Sequence, residues 1–107
     1  MIMYLSGPMS GIKDHNIPLF NREAGRLREA GYHVVNPADL DKQMPQTSWD
    51  GCLRRDIRVL MDCDVIATLP GFRKSRGATL ETYIGRELGM SIHPVSYWIA
   101  IKGKNHA

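Results

Sequence analysis

The sequence predicts an α/β three-layer sandwich around a parallel sheet of four to five strands. Three observations lead to this prediction. Short apolar runs alternate with longer amphipathic segments, glycines follow the ends of the amphipathic segments, and 107 residues with 43% hydrophobic content suffice for one core. Strands joined by helices of about a dozen residues pair in parallel, with helices on both faces of the sheet.

The first predicted strand and helix lie at the amino-terminal end. Ile2 to Leu5 is a buried strand, and Ser6 to Gly11 is a tight, glycine-bearing loop. Asn16 is suited to cap a helix that Gly31 ends in a left-handed conformation. The apolar residues of this helix recur at steps of three and four: Ile17, Phe20, Ala24, Leu27 and Ala30.

The middle of the chain carries the second strand and the second helix. His33 to Asn36 is a short strand, and Pro37 to Thr47 is a loop of the kind that folds over a site, with two prolines and several polar residues. From Ser48 to about Met61 the pattern is helical. Its apolar stripe consists of Trp49, Leu53, Ile57 and Leu60.

The last part of the chain repeats the alternation. Val65 to Leu69 is a third strand, Pro70 to Arg76 is a polar loop, and Gly77 to Leu88 is a third helix closed by a glycine. Ile92 to Val95 is a final strand, and Tyr97 to Ile101 extends it or forms one more.

These elements form one flavodoxin-like or Rossmann-like domain over residues 1–101, and residues 102–107 are expected to be a flexible tail. A chain of this length has no room for separate substrate and cofactor domains. Any active site is therefore cramped or shared with a second subunit. Ligands of parallel sheets bind at the carboxyl ends of the strands, so the loops after the first three strands are the candidates.

The charge balance argues against several partners. The 14 Lys and Arg residues against 11 Asp and Glu give a net charge of +3, and no basic run is longer than Arg54-Arg55. We therefore expect small anionic ligands and no nucleic-acid polymer. The four histidines lack the spacing of a metal site, and we expect no metal and no cofactor.

The chain shows neither a leader-like segment nor an apolar run of membrane-spanning length. We expect a cytoplasmic protein without a membrane partner. Cys52 and Cys63 fit neither a zinc ribbon nor a redox Cys-x-x-Cys motif, so both are expected to be reduced and to fill the core.

Two carboxylates lie where a helix should be apolar, and they are the most informative residues of the chain. Asp56 falls on the apolar stripe of the second helix, and Glu81 shares a face with the apolar residues of the third. One interpretation is structural, with ion pairs to Arg54, Arg55 or Arg86. The other is catalytic.

In the catalytic interpretation the two carboxyls have different roles. Glu81 lies near the start of its helix, where the amide dipoles favour the anion and keep it ready as a nucleophile. Desolvation of Asp56 raises its proton affinity, which suits a general acid or base. Two carboxyls with separated proton affinities are the working pair of glycosidic bond cleavage.

Two loops are candidates for holding an anion. Arg73 to Gly77 combines positive charge, a hydroxyl and backbone amides at a helix start, although a solvated basic loop has the same composition. Ser6 to Gly11 has neither a Rossmann nor a P-loop spacing, but it flanks the same end of the sheet.

Three motifs carry a family resemblance when they are taken together. They are Tyr4-Leu5-Ser6-Gly7-Pro8, then Arg55-Asp56 ahead of Asp64-Val65, then Ser75-Arg76-Gly77-Ala78-Thr79-Leu80-Glu81. This set resembles the nucleoside 2-deoxyribosyltransferase superfamily, including its nucleoside 5'-monophosphate N-glycosidase branch. The resemblance spans about Met3 to Gly89 and is nearest to a compact phage and prophage subgroup of unknown function.

The resemblance implies roles for individual residues. Glu81 is the nucleophile that attacks the anomeric carbon, Tyr4 holds it in place, and Asp56 assists protonation of the departing base. Contacts to substrate or phosphate are implied for two segments: Gly7, Pro8, Met9, Ser10 and Gly11, and Ser75, Arg76 and Gly77. Relatives complete the site with a residue from a neighbouring subunit, so the resemblance also implies a homodimer or larger homo-oligomer with a shared site.

We therefore expect an enzyme that cleaves the N-glycosidic bond of a nucleotide or deoxynucleotide through a covalent glycosyl-Glu81 intermediate. Water as acceptor gives hydrolysis, and a second base gives transfer. Two alternatives use the same pocket. One is a nucleotide-binding protein without turnover that sequesters or senses its ligand, and the other is an NAD-type glycohydrolase.

Overall fold

A four-stranded, all-parallel sheet forms the centre of the molecule. The computed structural model describes residues 1–105. The strands follow one another in space as β2-β1-β3-β4, with the bounds β1 (Ile2–Ser6), β2 (His33–Val35), β3 (Val65–Thr68) and β4 (Ser91–Pro94). Tyr4 of β1 pairs with Val35 on one side and with Ile66 on the other. The predicted fold class is confirmed.

Helices cover both faces of this sheet. Their bounds are α1 (Ile17–Glu29), α2 (Pro37–Gln43), α3 (Trp49–Leu60), α4 (Arg76–Glu87) and α5 (Val95–Asn105). Side chains of α1 and α5 pack on one face of the sheet, and those of α3 and α4 face the other. Within residues 1–105, no helix has both the length and the apolar character needed to cross a membrane.

The alternation of side chains along β1 divides the core in two. Met3 and Leu5 belong to the larger apolar cluster, which α1 and α5 complete. Tyr4 points to the opposite face and packs there with Ile66. Ser6 lies two residues after Tyr4, so it faces the same side and reaches α4.

The segment after β2 differs from its prediction. Pro37 to Thr47 is expected to be a loop, but its first part is α2. The side chain of Asn36 caps this helix by accepting a hydrogen bond of 3.1 Å from the backbone N–H of Ala38. Pro37 occupies the first turn, where a proline loses no intrahelical hydrogen bond.

The carboxyl-terminal segment also differs. Tyr97 to Ile101 is not a strand but part of α5, so the sheet has four strands and not five. The indole N–H of Trp98 donates to the carbonyl oxygens of Ile66 and His93, each at 3.1 Å, and fixes the helix against the sheet. Residues 102–105 of the predicted tail are helical, and residues 106 and 107 lie outside the described part of the chain.

Helix α4 approaches the sheet closely at Gly85. A Cβ atom at this position would lie 2.5 Å from Cδ1 of Ile66, so a side chain here would force the helix away from the sheet. Glu81 lies one turn earlier on the same face of α4. The contact at Gly85 therefore sets how deeply Glu81 enters the structure.

Candidate active site

The candidate site is a cavity of about 600 Å³ at the carboxyl end of β1, bounded by the segments that follow β1, β2 and β3. In the strand order β2-β1-β3, the strand that follows β1 in the chain lies on one side of it, and the next strand, β3, lies on its other side. Such a switch point leaves a crevice between the two connections, and ligands of open parallel sheets bind there. The cavity lies where the sequence predicts a ligand.

Glu81 lies at the base of this cavity and is only 5% exposed. The hydroxyl of Tyr4 donates to its Oε2 at 2.6 Å, and the hydroxyl of Ser6 donates to its Oε1 at 2.8 Å. None of the ion pairs found within residues 1–105 includes Glu81. The carboxyl is thus oriented by two hydroxyl groups without a neutralising cation.

Burial raises the pKa of Glu81 to about 7. The hydrogen bonds from Tyr4 and Ser6 lower it, and the negative charge of Asp56 raises it further. The expectation that the helix dipole keeps Glu81 ionised is wrong, because α4 begins at Arg76 and Glu81 lies in its second turn. Desolvation is the largest cause of the raised pKa, and it favours the neutral form of the carboxyl.

The two hydroxyl donors have one origin in the sequence. Tyr4 and Ser6 are two residues apart in β1, and side chains at that spacing point to the same face of a sheet. The sequence motif singles out Tyr4 for Glu81 and places Ser6 only in the following loop. The two-residue repeat of side-chain direction in a strand could have indicated that Ser6 contacts the same carboxyl as Tyr4.

Asp56 faces the same cavity from α3. Burial raises its pKa to about 6, while Arg55 lowers the pKa through its charge and a hydrogen bond, and Asp41 raises it. The expected effect of desolvation on Asp56 is confirmed. The structural interpretation is confirmed for this residue as well, because the Nε of Arg55 donates to Asp56 Oδ1 at 2.9 Å.

The rim of the cavity carries positive charge. Lys74, Ser75 and Arg76 line it, and the guanidinium of Arg76 lies 4.5 Å from the ring centre of Trp49 on the opposite side. Ser75 caps α4 by accepting a hydrogen bond of 3.2 Å from the backbone N–H of Ala78. Its hydroxyl hydrogen is still able to donate to an anion.

The loop after β1 forms another side of the cavity. Gly7, Met9 and Ser10 line it, whereas Pro8 and Gly11 do not. Gly77, the third predicted contact on the opposite loop, also lines the cavity, and Tyr4 is fully buried behind Glu81.

The loop after β1 is held by two local contacts. A Cβ atom at Gly7 would lie 2.7 Å from the Cβ of Leu69, so this position allows the loop to rest directly on the end of β3. The side chain of Asn16 donates to the carbonyl oxygen of Pro8 at 2.9 Å and makes no capping hydrogen bond to α1. Asn16 is the N-cap residue of α1, as predicted, but it has a left-handed conformation and its side chain secures the loop instead of capping the helix.

Some lining residues were not candidates in the sequence. Asp41 and Gln46 come from the segment expected to be an unstructured loop, and Cys52 comes from the stretch of α3 expected to fill the core. Arg55 also lines the cavity, although the sequence predicts for it only an ion pair and a place in the Arg55-Asp56 motif. In the described part of the chain, no group of three or more His, Cys, Asp or Glu side chains is arranged to hold a metal ion.

A family model described as a domain of unknown function (DUF4406) matches residues 1–94, which include all four strands of the sheet. The chain belongs to this family. The DUF4406 match contains both carboxylates and both loops of the cavity. Comparison with curated proteins gave no match. Membership in a family of unknown function agrees with the sequence resemblance, and the relation to nucleoside 2-deoxyribosyltransferases stays a prediction.

Proposed function

We propose that this DUF4406 protein cleaves the N-glycosidic bond of a nucleotide or deoxynucleotide. The observation that carries the proposal is the pair of carboxyls in one cavity, the buried Glu81 oriented by hydroxyls and the half-buried Asp56 paired with Arg55. A buried carboxylate without a neutralising cation is unfavourable for stability, and such groups concentrate at functional sites. The pKa values of Glu81 and Asp56, about 7 and about 6, lie close together, so the pair shares one proton between them. The proposed reaction uses the form with the proton on Asp56, which exists in equilibrium with the form that has it on Glu81.

In the proposed reaction the ionised carboxylate of Glu81 attacks the anomeric carbon of the sugar. The new C–O bond forms as the C–N bond breaks, and the electron pair of the C–N bond moves to the base. Protonated Asp56 gives its proton to the departing base, which leaves as a neutral molecule. Water, or a second base, then attacks the anomeric carbon with loss of a proton to Asp56, and Glu81 is released as the carboxylate.

The cationic rim supports an anionic substrate. Lys74 and Arg76 bring two positive charges to the cavity, and the hydroxyls of Ser75 and Ser10 are within its lining. This arrangement suits a 5'-phosphate, because phosphate is bound by basic side chains together with hydroxyls and helix-start amides. A nucleotide is thus favoured over a free nucleoside.

The proposed enzyme is a homodimer or larger assembly in which a second copy closes the cavity. Helix α4, which carries Glu81, exposes the apolar side chains of Leu80 and Tyr83, and Leu88 follows at its end. Exposed apolar side chains grouped on one element favour an interface. An assembly through α4 would bring the second copy beside the cavity.

The test is release of free base from a panel of ribonucleotides, deoxynucleotides and NAD, followed by chromatography. We expect base release from at least one nucleotide monophosphate. Glu81→Gln should reduce the rate by roughly 10³-fold, since the nucleophile is lost. The control is Glu23→Gln, which removes an equally buried carboxylate outside the cavity and should leave the rate within about threefold.

Other outcomes lead to other functions. A rise in melting temperature with a nucleotide, without base release, favours the non-catalytic binding protein. Nicotinamide release from NAD alone favours the glycohydrolase. Full turnover by folded Glu81→Gln protein contradicts the covalent mechanism.

A further inference from the structure

Arg55 is a buried arginine at the junction of three parts of the site. Its side chain is only 2% exposed. On α3 it contacts Asp56, where Nε and Nη2 both lie 2.9 Å from Oδ1. From there Nη2 reaches Asp41 Oδ1 on α2 at 2.8 Å, and Nη1 donates to the carbonyl oxygen of Met44 at 3.1 Å. A buried guanidinium is tolerated only when its donors are satisfied, so these acceptors hold it in one position.

The contacts with Asp56 leave the two carboxyl oxygens in different environments. Arg55 binds Oδ1 with two nitrogens, which fixes the plane and the direction of the carboxyl group. The other oxygen, Oδ2, is therefore the one available to a ligand in the cavity. A general acid needs this kind of fixed direction, because proton transfer requires a short, aligned hydrogen bond.

The contacts on the other side of Arg55 hold a wall of the cavity. Met44 is the C-cap residue of α2. The exposed segment after it contributes Gln46, Thr47 and Ser48 to the lining of the cavity. Asp41 also lines the cavity. One side chain thus connects the acid on α3 to the segment that bounds the space in front of it.

We propose that Arg55 is a positioning residue that aligns the Asp56 carboxyl and ties residues 44–48 to it. The proposal rests on the proposed function insofar as Asp56 acts as the acid. A ligand that displaces the segment 44–48 would move the Met44 carbonyl, and through Arg55 this movement would reach Asp56. The segment and the acid are coupled by the same guanidinium.

The charges around Asp56 predict what removal of Arg55 does. Arg55 lowers the pKa of Asp56, and Asp41 raises it. From α4, the Glu81 carboxyl is coupled to Asp56 by charge, as are the buried hydroxyl of Tyr4 and the thiol of Cys52. All of these groups other than Arg55 are neutral or negative, so loss of the guanidinium must raise the pKa of Asp56 above about 6.

The experiment compares Arg55→Met and Arg55→Lys with Arg54→Met. Arg54 is the matched control, because it is the preceding arginine of the same helix and is exposed. The first readout is the titration of the Asp56 carboxyl carbon by NMR, assigned with Asp56→Asn. The second is hydrogen exchange of the Met44 amide, whose N–H donates to the carbonyl oxygen of Leu40 at 2.8 Å. Neither readout requires turnover.

We expect Arg55→Met to move the Asp56 titration upward by about one pH unit and to accelerate exchange of the Met44 amide at least tenfold. Arg55→Lys should keep the titration near the wild-type position because the charge remains. It should still accelerate exchange, since one ammonium group does not span the three acceptors. Arg54→Met should change neither. An Asp56 titration that does not move in Arg55→Met, or unchanged exchange in both Arg55 variants, overturns the proposal.

Turnover adds a separate measurement. For a cleaved nucleotide, kcat of Arg55→Lys should fall roughly tenfold with little change in KM, and the alkaline limb of the pH profile should move upward in Arg55→Met. If Arg55→Met does not fold, the exchange and kcat of Arg55→Lys decide the question, and wild-type values in that variant contradict the proposal. If wild-type protein cleaves no nucleotide, the proposed function fails while the titration and exchange still test Arg55.

Discussion

Glu23 and Glu81 are buried to nearly the same extent, at 6% and 5% exposure, yet their surroundings are opposite. Glu23 on α1 accepts from Nη1 of Arg26 at 2.8 Å and from Nε of Arg22 at 3.2 Å, and both arginines reach solvent. Glu81 on α4 accepts only from two hydroxyls. Its charge is held in place but not neutralised.

Burial alone therefore does not mark a functional carboxylate. Two cations, both from α1 itself, compensate the charge of Glu23. Glu81 has neutral donors and an elevated pKa. Both carboxylates line a cavity, of about 600 Å³ at Glu81 and about 480 Å³ at Glu23, so the presence of a cavity does not separate them. The type of partner, and not the degree of burial, distinguishes the candidate nucleophile from the structural acid.

The largest expected effect is the pH dependence of stability that Glu81 causes. Its pKa is about 7 in the folded protein against an ordinary value of 4.5, so the folded state binds more protons than the unfolded state between these values. Stability therefore falls as pH rises from 4.5 to 7, by about 3 kcal/mol in total. Urea unfolding at several pH values measures this decline.

The matched variants isolate the contribution of Glu81. Glu81→Gln should flatten the decline across this pH window and be more stable than wild type at pH 8, whereas Glu23→Gln should leave the decline in place. Asp56 also has a raised pKa and contributes at lower pH, so the comparison is between variants and not with a flat line. A decline that survives in Glu81→Gln means that burial does not raise the pKa of this carboxyl.

A smaller effect is expected from removing one hydroxyl donor. Tyr4→Phe deletes the 2.6 Å hydrogen bond to Glu81, which raises the pKa of Glu81 further and should lower turnover roughly tenfold. Tyr32→Phe is the matched control, because its buried hydroxyl donates at 2.6 Å to the carbonyl oxygen of Trp98. Both variants should lose about 1 kcal/mol of stability, and only Tyr4→Phe should lose activity. Equal turnover in the two proteins would separate Tyr4 from the chemistry.

The smallest effect is expected at the structural acid. Arg26→Met removes one of the two cations of Glu23 and should destabilise the protein by about 0.5 to 1 kcal/mol, since the arginine is half exposed. The loss should shrink in 1 M salt, which screens exposed ion pairs. Thermal melting at low and high salt measures both values. A loss above about 2 kcal/mol that persists in salt would show that Glu23 is not compensated at the surface.

Much of the fold could be predicted because the spacing of apolar residues along the sequence is regular. The steps of three and four in α1 and α3 and the short apolar runs of β1 and β3 give each element its type. Helix α2 was missed although its signal is present, since Asn36 followed by Pro37 is a helix start as well as a turn. Helix α5 was missed because a short apolar run does not distinguish a strand from a buried helix.

The candidate site could be predicted in part. Asp56 and Glu81 stand out because polar residues interrupt apolar stripes, and that rule needs no structure. The role of Arg55 could not be derived in the same way, because its three acceptors come from α2, α3 and the segment between them. Their meeting depends on how α2 packs, and α2 itself was not predicted.

The parallel sheet has a consequence for how the molecule forms. Tyr4 and Glu81 are 77 residues apart in the chain, and every strand pairing must wait for a crossover connection to close. Chains dominated by such distant contacts fold slowly, because loop closure precedes the gain from contact. During synthesis β1 leaves the ribosome before α4 exists, so the two hydroxyls cannot meet their carboxyl partner until α4 has been made. A chain stopped before α4 holds the donors without the acid, and the site exists only in the finished domain.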